Sequence, residues 1–292
     1  MKVARVLSLR ARHCLTLRRK RVDLTTLAPF KLRSGTRPLL VSMPHVGTHI
    51  PLTLQERMTP EALTVPDTDW HLEPLYEFAQ VLGASVIAAT HSRYVVDVNR
   101  PPDNENLYPG QNTTGLCPTD AFDETPLYLE GQAPEQSEVL ERREAYWRPY
   151  HHALQAELLR LRERHGAVAL WDAHSIRSVV PRFFEGRLPD LNLGTVNGTS
   201  CASVFAEAVY AVAQRASGFS AVLNGRFKGG YITRQYGRPT EQIHAIQLEI
   251  ALRAYMEEVP PFRYDANRAA ILQPALRAML EVVLEHVEGL CL

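Results

Sequence analysis

The sequence predicts an α/β fold built on a mixed, mostly parallel sheet. Three observations predict it. Short apolar runs stop abruptly at Pro, Gly or His, stretches of helical period lie between them, and 45% hydrophobic residues in a chain of 292 can fill a sizeable core. The apolar run Pro38-Leu39-Leu40-Val41 opens the pattern. It reads as a buried strand that ends in SMPHVGTHIP and delivers His45 to the sheet's carboxyl edge, where open α/β sheets place their ligands.

The remaining elements follow in chain order. Over residues 67–82, Leu72, Leu75, Tyr76, Ala79 and Leu82 recur at helical spacing behind an N-cap at Asp67 or Thr68; Pro74 blurs the start and Gly83 closes the helix. Residues 84–89 and 94–98 are rich in β-formers, the second run being stopped by Pro101-Pro102. Residues 103–131, rich in Pro, Asn, Thr and Gly, are long for a passive connection and read as a lid over a site. Residues 135–165 have the period of a long surface helix, with Glu157 and Arg160 paired on its exposed face. Residues 168–175, VALWDAHS, repeat the opening motif as an apolar strand whose end presents His174. A helix over 199–216, a Gly-interrupted strand or loop over 227–234, a short strand over 245–250 and a closing helix over 273–287 complete the chain.

Composition narrows the function. Lys and Arg total 32 and so do Asp and Glu, so no net field draws the chain to nucleic acid or an anionic membrane; a small molecule is the expected partner. The four cysteines (Cys14, Cys117, Cys201, Cys291) are far apart and form no C-x-x-C pair, which argues against a disulfide framework or a cysteine-rich zinc site and fits a reducing cytoplasm. No window approaches the roughly 20 apolar residues of a membrane span. Residues 1–22 carry Lys2, Arg5, Arg10, Arg12, Arg18, Arg19, Lys20 and Arg21 before the first acid, Asp23. They read as an organelle transit peptide or, preferably, a poorly ordered basic extension, which leaves 23–292 as a single domain. The sequence carries no signal for oligomeric state.

Three polar residues mark strand ends far apart in the chain: His45, His174 and Glu249, the last in QLEI. Two neutral imidazoles with a carboxylate and an open position make a catalytic zinc site, and a further carboxylate can then act as general base. Singly, each histidine also reads as a hydrogen-bonded structural residue and Glu249 as an ion-pair partner. Asp67 and Asp69, in DTDW, are either residues of a helix N-terminus or a metal ligand; no H-E-x-x-H helix is present. Asn99-Arg100 places a planar guanidinium where it can grip a carboxylate, the alternative being a salt bridge to Asp97 or Asp103. Arg93, Arg177, Arg182, Lys228 and Arg234 are further cations near proposed strand ends, so the set points to a dianionic small molecule. His49, His151 and His152 read as surface or core histidines.

Over about residues 35 to 260 the chain resembles the N-formylglutamate amidohydrolases, also called N-formylglutamate deformylases. The likeness is carried by LLVSMPHVGTHIP, DTDW, SRYVVDVNRPP, LWDAHSIRS, GRFKGGYITRQYGRP and HAIQLEI, in that order. It implies a metal-dependent hydrolase that removes formate from N-formyl-L-glutamate, the last step of one route of histidine degradation. It also implies a three-layer α/β/α sandwich like that of the zinc carboxypeptidases and aspartoacylases. In those relatives a ligand histidine is followed three residues later by a ligand Glu; here Thr48 stands there, and because other branches of the family keep an acid aligned with Asp69, the resemblance implies Asp69 as the second ligand, with Asp67 in reserve. By the same resemblance His45, Asp69 and His174 hold Zn2+, Glu249 is the base and Arg93 faces the oxyanion. Asn99 and Arg100 hold one substrate carboxylate, with Arg177, Lys228 or Arg234 for the other. A sister deacylase with another acyl group or amino acid is the nearest alternative, and a non-catalytic ligand-binding protein the more distant one.

Overall fold

Leu39–Met43 is buried at every position because apolar layers cover both faces of the sheet to which it belongs. The computed structural model describes residues 27–107, 110 and 112–290; the basic stretch 1–22 lies outside them. The strands are β1 (Phe30–Arg33), β2 (Leu39–Met43), β3 (Ser85–Ala89), β4 (Val168–Ile176), β5 (Leu191–Gly194), β6 (Ala221–Leu223) and β7 (Ile243–Ala251), in the order β1-β3-β2-β4-β7-β5-β6. The four central strands β3, β2, β4 and β7 run parallel. β1 pairs antiparallel with β3, and β5 antiparallel with β7, so the sheet is mixed, as expected.

The helices are α1 (Leu52–Gln55), α2 (Leu72–Leu75), α3 (Phe78–Val81), α4 (Gln136–Arg142), α5 (Arg148–His165), α6 (Ser203–Arg215), α7 (Tyr231–Tyr236) and α8 (Ala266–Gly289). Along β4 the side chains alternate: Ala169, Trp171 and Ala173 join the core with α2, α3, α6 and α8, whereas Val168 and Leu170 join the one with α1, α5 and α7. Among the described residues no helix is long and apolar enough to cross a membrane.

Several elements differ from expectation, each for a local reason. Residues 67–82 are not one helix: His71 turns through a left-handed conformation, φ 62°, and two single-turn helices follow, so Asp67 and Asp69 lie in the preceding loop. Residues 94–98 form a turn, with Val95 N–H on the Ser92 carbonyl and Asp97 N–H on the Leu116 carbonyl. Their β-branched and aromatic side chains reflect burial in the core, which β-propensity measures as readily as strand formation. Residues 135–165 are α4 and α5 joined through a π-turn at Arg143–Trp147; Glu157 is buried, not exposed, and accepts from Ser85 and Arg160. Residues 227–234 contain the start of α7. Within the segment expected as a lid, Leu116, Ala121, Leu127 and Tyr128 are buried in the core, while Asn112 and Thr113 line the cavity described below. Strands β1, β5 and β6 were not foreseen: they have three or four residues each, and LNLG is interrupted by Asn and Gly.

His151 is a core histidine. Nδ1 lies 2.9 Å from the Tyr236 hydroxyl and Nε2 2.7 Å from the Val98 carbonyl, while the ring stacks on Trp147 at 3.8 Å. Burial pushes its pKa down to about 4 from the usual 6.5. Because the folded pKa is the lower one, its contribution is complete above about pH 6.5 and is lost as pH falls toward 4, on the order of 3 kcal/mol in all. Denaturant unfolding at pH 7 and pH 4.5 should therefore show a larger loss for the wild type than for His151→Gln; an equal loss in both would remove His151 as the cause.

Candidate metal centre and active site

The adjacent parallel strands β2, β4 and β7 bring the marked strand ends together. His45 follows β2 by two residues, and His174 on β4 stands in register with Glu249 on β7. Asp69 is added from the loop, whose backbone N–H donates to the His45 carbonyl at 3.0 Å. His174 Nδ1 lies 3.2 Å from both His45 Nδ1 and Asp69 Oδ2, and His45 Nδ1 lies 3.6 Å from that oxygen. All three groups are buried, and their ligand atoms lie within 4.8 Å of one another.

The other ring nitrogens face carboxylates. His45 Nε2 is 2.7 Å from Asp97 Oδ1, and His174 Nε2 is 3.2 Å from Asp172 Oδ2. A carboxylate on Nε2 orients an imidazole so that Nδ1 is presented for ligation. Two imidazole nitrogens and one carboxylate oxygen, bordering a cavity, are a donor set that fits zinc. Burial alone would raise the Asp69 pKa, but hydrogen bonds from His174 and His45 outweigh it and hold the group down to about 2.

Asp97 and Asp172 were missed as functional residues, Asp97 having been read only as a salt-bridge partner for Arg100, from which it stands 3.8 Å. For Asp172 the signal was present: it sits two residues before His174 on one strand, hence on the same face. Asp97 also accepts from Asn99 N–H at 2.9 Å and from Arg93 Nη2 at 2.6 Å. Burial opposes its ionisation, yet the Arg93, His45 and Arg100 charges hold it well below the usual carboxylate range. Arg93 is thereby fixed over the Phe122 ring at 4.7 Å, with Nη1 3.4 Å from His45 Nδ1. Glu249 is buried as well; burial first, and then the Asp69 and Asp172 charges, push its carboxyl up to about 8 against the lowering influence of His174 and Arg93.

A cavity opens onto this cluster. It is lined by His45, Asp69, His174, Glu249 and Arg93, by Asn99 and Arg100, and by Asn112, Phe122, Phe183, Arg226, Phe227 and Gln247 among others. Asn99 has its Nδ2 3.1 Å from His174 Nε2, and its Oδ1 accepts from Ile232 N–H at 2.8 Å. Arg100 donates to the Thr114 carbonyl and hydroxyl.

The other expected cations lie elsewhere. Arg177 donates to Asp67 at 3.2 Å and is outside the lining. Asp67 also accepts from the Tyr94 hydroxyl and Phe122 N–H, so it anchors loops rather than joining the ligand cluster. Lys228 and Arg234 do not line the cavity either; Arg234 Nε donates to the Gly229 carbonyl. The cation that enters from this segment is Arg226, which sequence reasoning missed. Gly230 is needed because a Cβ there would stand 2.4 Å from Asn99 Nδ2.

Fold and site together define a class, an α/β protein whose sheet edge gathers a His-Asp-His group able to hold a metal ion, with a buried carboxylate beside it. The chain belongs to the N-formylglutamate amidohydrolase family, whose sequence model matches residues 37–256. It is 52% identical over 250 residues to an N-formylglutamate deformylase of Pseudomonas putida, covering 86% of this chain and 93% of that one. It is 50% identical over 252 residues to an N-formylglutamate deformylase of Pseudomonas aeruginosa, covering 86% and 94%. The crystal structure of N-formylglutamate amidohydrolase from Ralstonia eutropha JMP134 superposes with a TM-score of 0.76 at 27% identity, over 90% of this chain and 99% of that one.

Proposed function

We propose that the chain hydrolyses N-formyl-L-glutamate to formate and L-glutamate, using one divalent ion, zinc, held by His45, Asp69 and His174. The supporting observation is the meeting of these three donors beside Glu249, in a cavity that also carries guanidinium groups, within a member of this family. The same reading makes this the last step of a histidine-degradation route.

Bound there, the ion supplies Lewis-acid polarisation of the formyl oxygen and makes a water easier to deprotonate. Glu249 takes the proton of the attacking water on its carboxylate and returns it to the departing nitrogen as the C–N bond breaks. A carboxyl whose proton affinity is raised by burial suits both roles. Arg93, locked by Asp97, offers a preorganised guanidinium to the developing oxyanion. Asn99 keeps α7 against His174, and Arg100 grips a substrate carboxylate.

A panel of N-formyl-, N-acetyl- and N-carbamoyl-L-glutamate tests the assignment: the formyl compound should have the highest kcat/KM, and a preference for either of the others would make the chain a sister deacylase. Arg100→Ala should lower kcat/KM for N-formylglutamate by about 1.5–3 kcal/mol, the loss expected of a charged hydrogen bond. An unchanged value would take Arg100 out of the substrate contacts.

A further inference from the structure

We infer that Arg226 binds the side-chain carboxylate of the substrate and thereby selects N-formylglutamate over N-formyl derivatives of neutral amino acids. The inference rests on the reading of the cavity as the N-formylglutamate site. A dianion drawn into a cavity needs a cationic contact for each carboxylate, since burying an uncompensated charge is costly. Among the described residues, the cations lining the cavity are Arg93, Arg100 and Arg226.

Arg93 is committed beside the reacting centre by its 2.6 Å bond to Asp97. Arg100 adjoins Asn99, whose amide lies 3.1 Å from His174, so it stands close to the metal ligands. That is the neighbourhood of the scissile amide, and the α-carboxylate is one carbon away from that amide's nitrogen. Arg226 comes from a different wall, between β6 and α7. Its Nε donates to the Phe183 carbonyl at 2.5 Å, and its guanidinium packs on the Phe227 ring at 5.3 Å. Both contacts fix the plane of the fork, which is what bidentate capture of a carboxylate requires. Phe183, Phe227 and Ile176 line the cavity with it, an apolar surface suited to the two side-chain methylenes that separate the γ-carboxylate from the backbone.

The test uses the metal-loaded protein and three substrates: N-formyl-L-glutamate, N-formyl-L-glutamine, which lacks the side-chain charge, and N-formyl-L-isoglutamine, which lacks the α-charge. Arg226→Gln should lower kcat/KM about 10- to 100-fold for N-formylglutamate and N-formylisoglutamine while leaving N-formylglutamine within about twofold. Arg226→Lys, which keeps the charge without the fork, should fall between. Equal losses on all three substrates, no loss on any, or a loss that spares isoglutamine while reducing glutamine would each overturn the inference without touching the assigned reaction. A wild-type protein that hydrolyses none of the three would overturn the reading of the cavity, and this inference with it.

Discussion

Glu249→Gln lowers kcat for N-formylglutamate hydrolysis by about 10²- to 10⁴-fold, the range for loss of a general acid-base group, while metal content stays at the wild-type level. The two halves of this expectation come from different parts of the structure. Glu249 is in strand register with His174 and lines the cavity, but it stands outside the His45-Asp69-His174 cluster. Gln keeps the volume of the buried side chain on a strand buried along its whole length, so the fold and the ligands are left in place. What it removes is a site that can take up a proton and give it back. Near-normal turnover in a folded, metal-replete Glu249→Gln protein would remove this residue from the chemistry.

Asp69→Ala should abolish both stoichiometric metal binding and turnover, because a three-donor site reduced to two imidazoles loses its one anionic ligand. Asp67→Asn is the contrasting variant. Asp67 is tied to Tyr94, Phe122 and Arg177, and burial pushes its pKa up, so its loss loosens the loop without removing a ligand. Asp97→Asn should fall between, with about 10- to 100-fold weaker metal binding, since Asp97 orients the His45 ring from its Nε2 side. Metal analysis of the purified variants checks all three; full occupancy in Asp69→Ala beside loss in Asp67→Asn would exchange the two aspartates.

How much of this could be read in the chain follows from the physics of each position. His45, His174 and Glu249 were legible because apolar strands declare themselves by composition, and a polar residue at the end of one points to the sheet edge. Asp69 needed the family resemblance, since it lies on a loop whose path is set by Asp69 N–H meeting the His45 carbonyl and by the left-handed turn at His71. The cations were the least legible. Arg226 and Lys228 are two residues apart in the same glycine-rich stretch, and which of them faces the cavity depends on the backbone path there, with Gly194 pressed so near Lys228 that a Cβ would stand 2.7 Å from its carbonyl carbon. The run Tyr94–Val98 misled for a related reason: its side chains are chosen for burial beside α5, while its backbone turns to carry Asp97 back to His45. Gly47 is the place where the His45 loop meets the backbone of residues 90–91, a Cβ there lying 2.3 Å from the His91 carbonyl oxygen.

The most direct measurement is formate release from N-formyl-L-glutamate by the purified protein before chelation, after complete removal of metal, and after zinc is added back. The account predicts that release is lost with the metal and recovers as one equivalent of zinc per chain is restored. Undiminished release from protein shown to be free of metal, or no release from protein carrying a full equivalent, would contradict it.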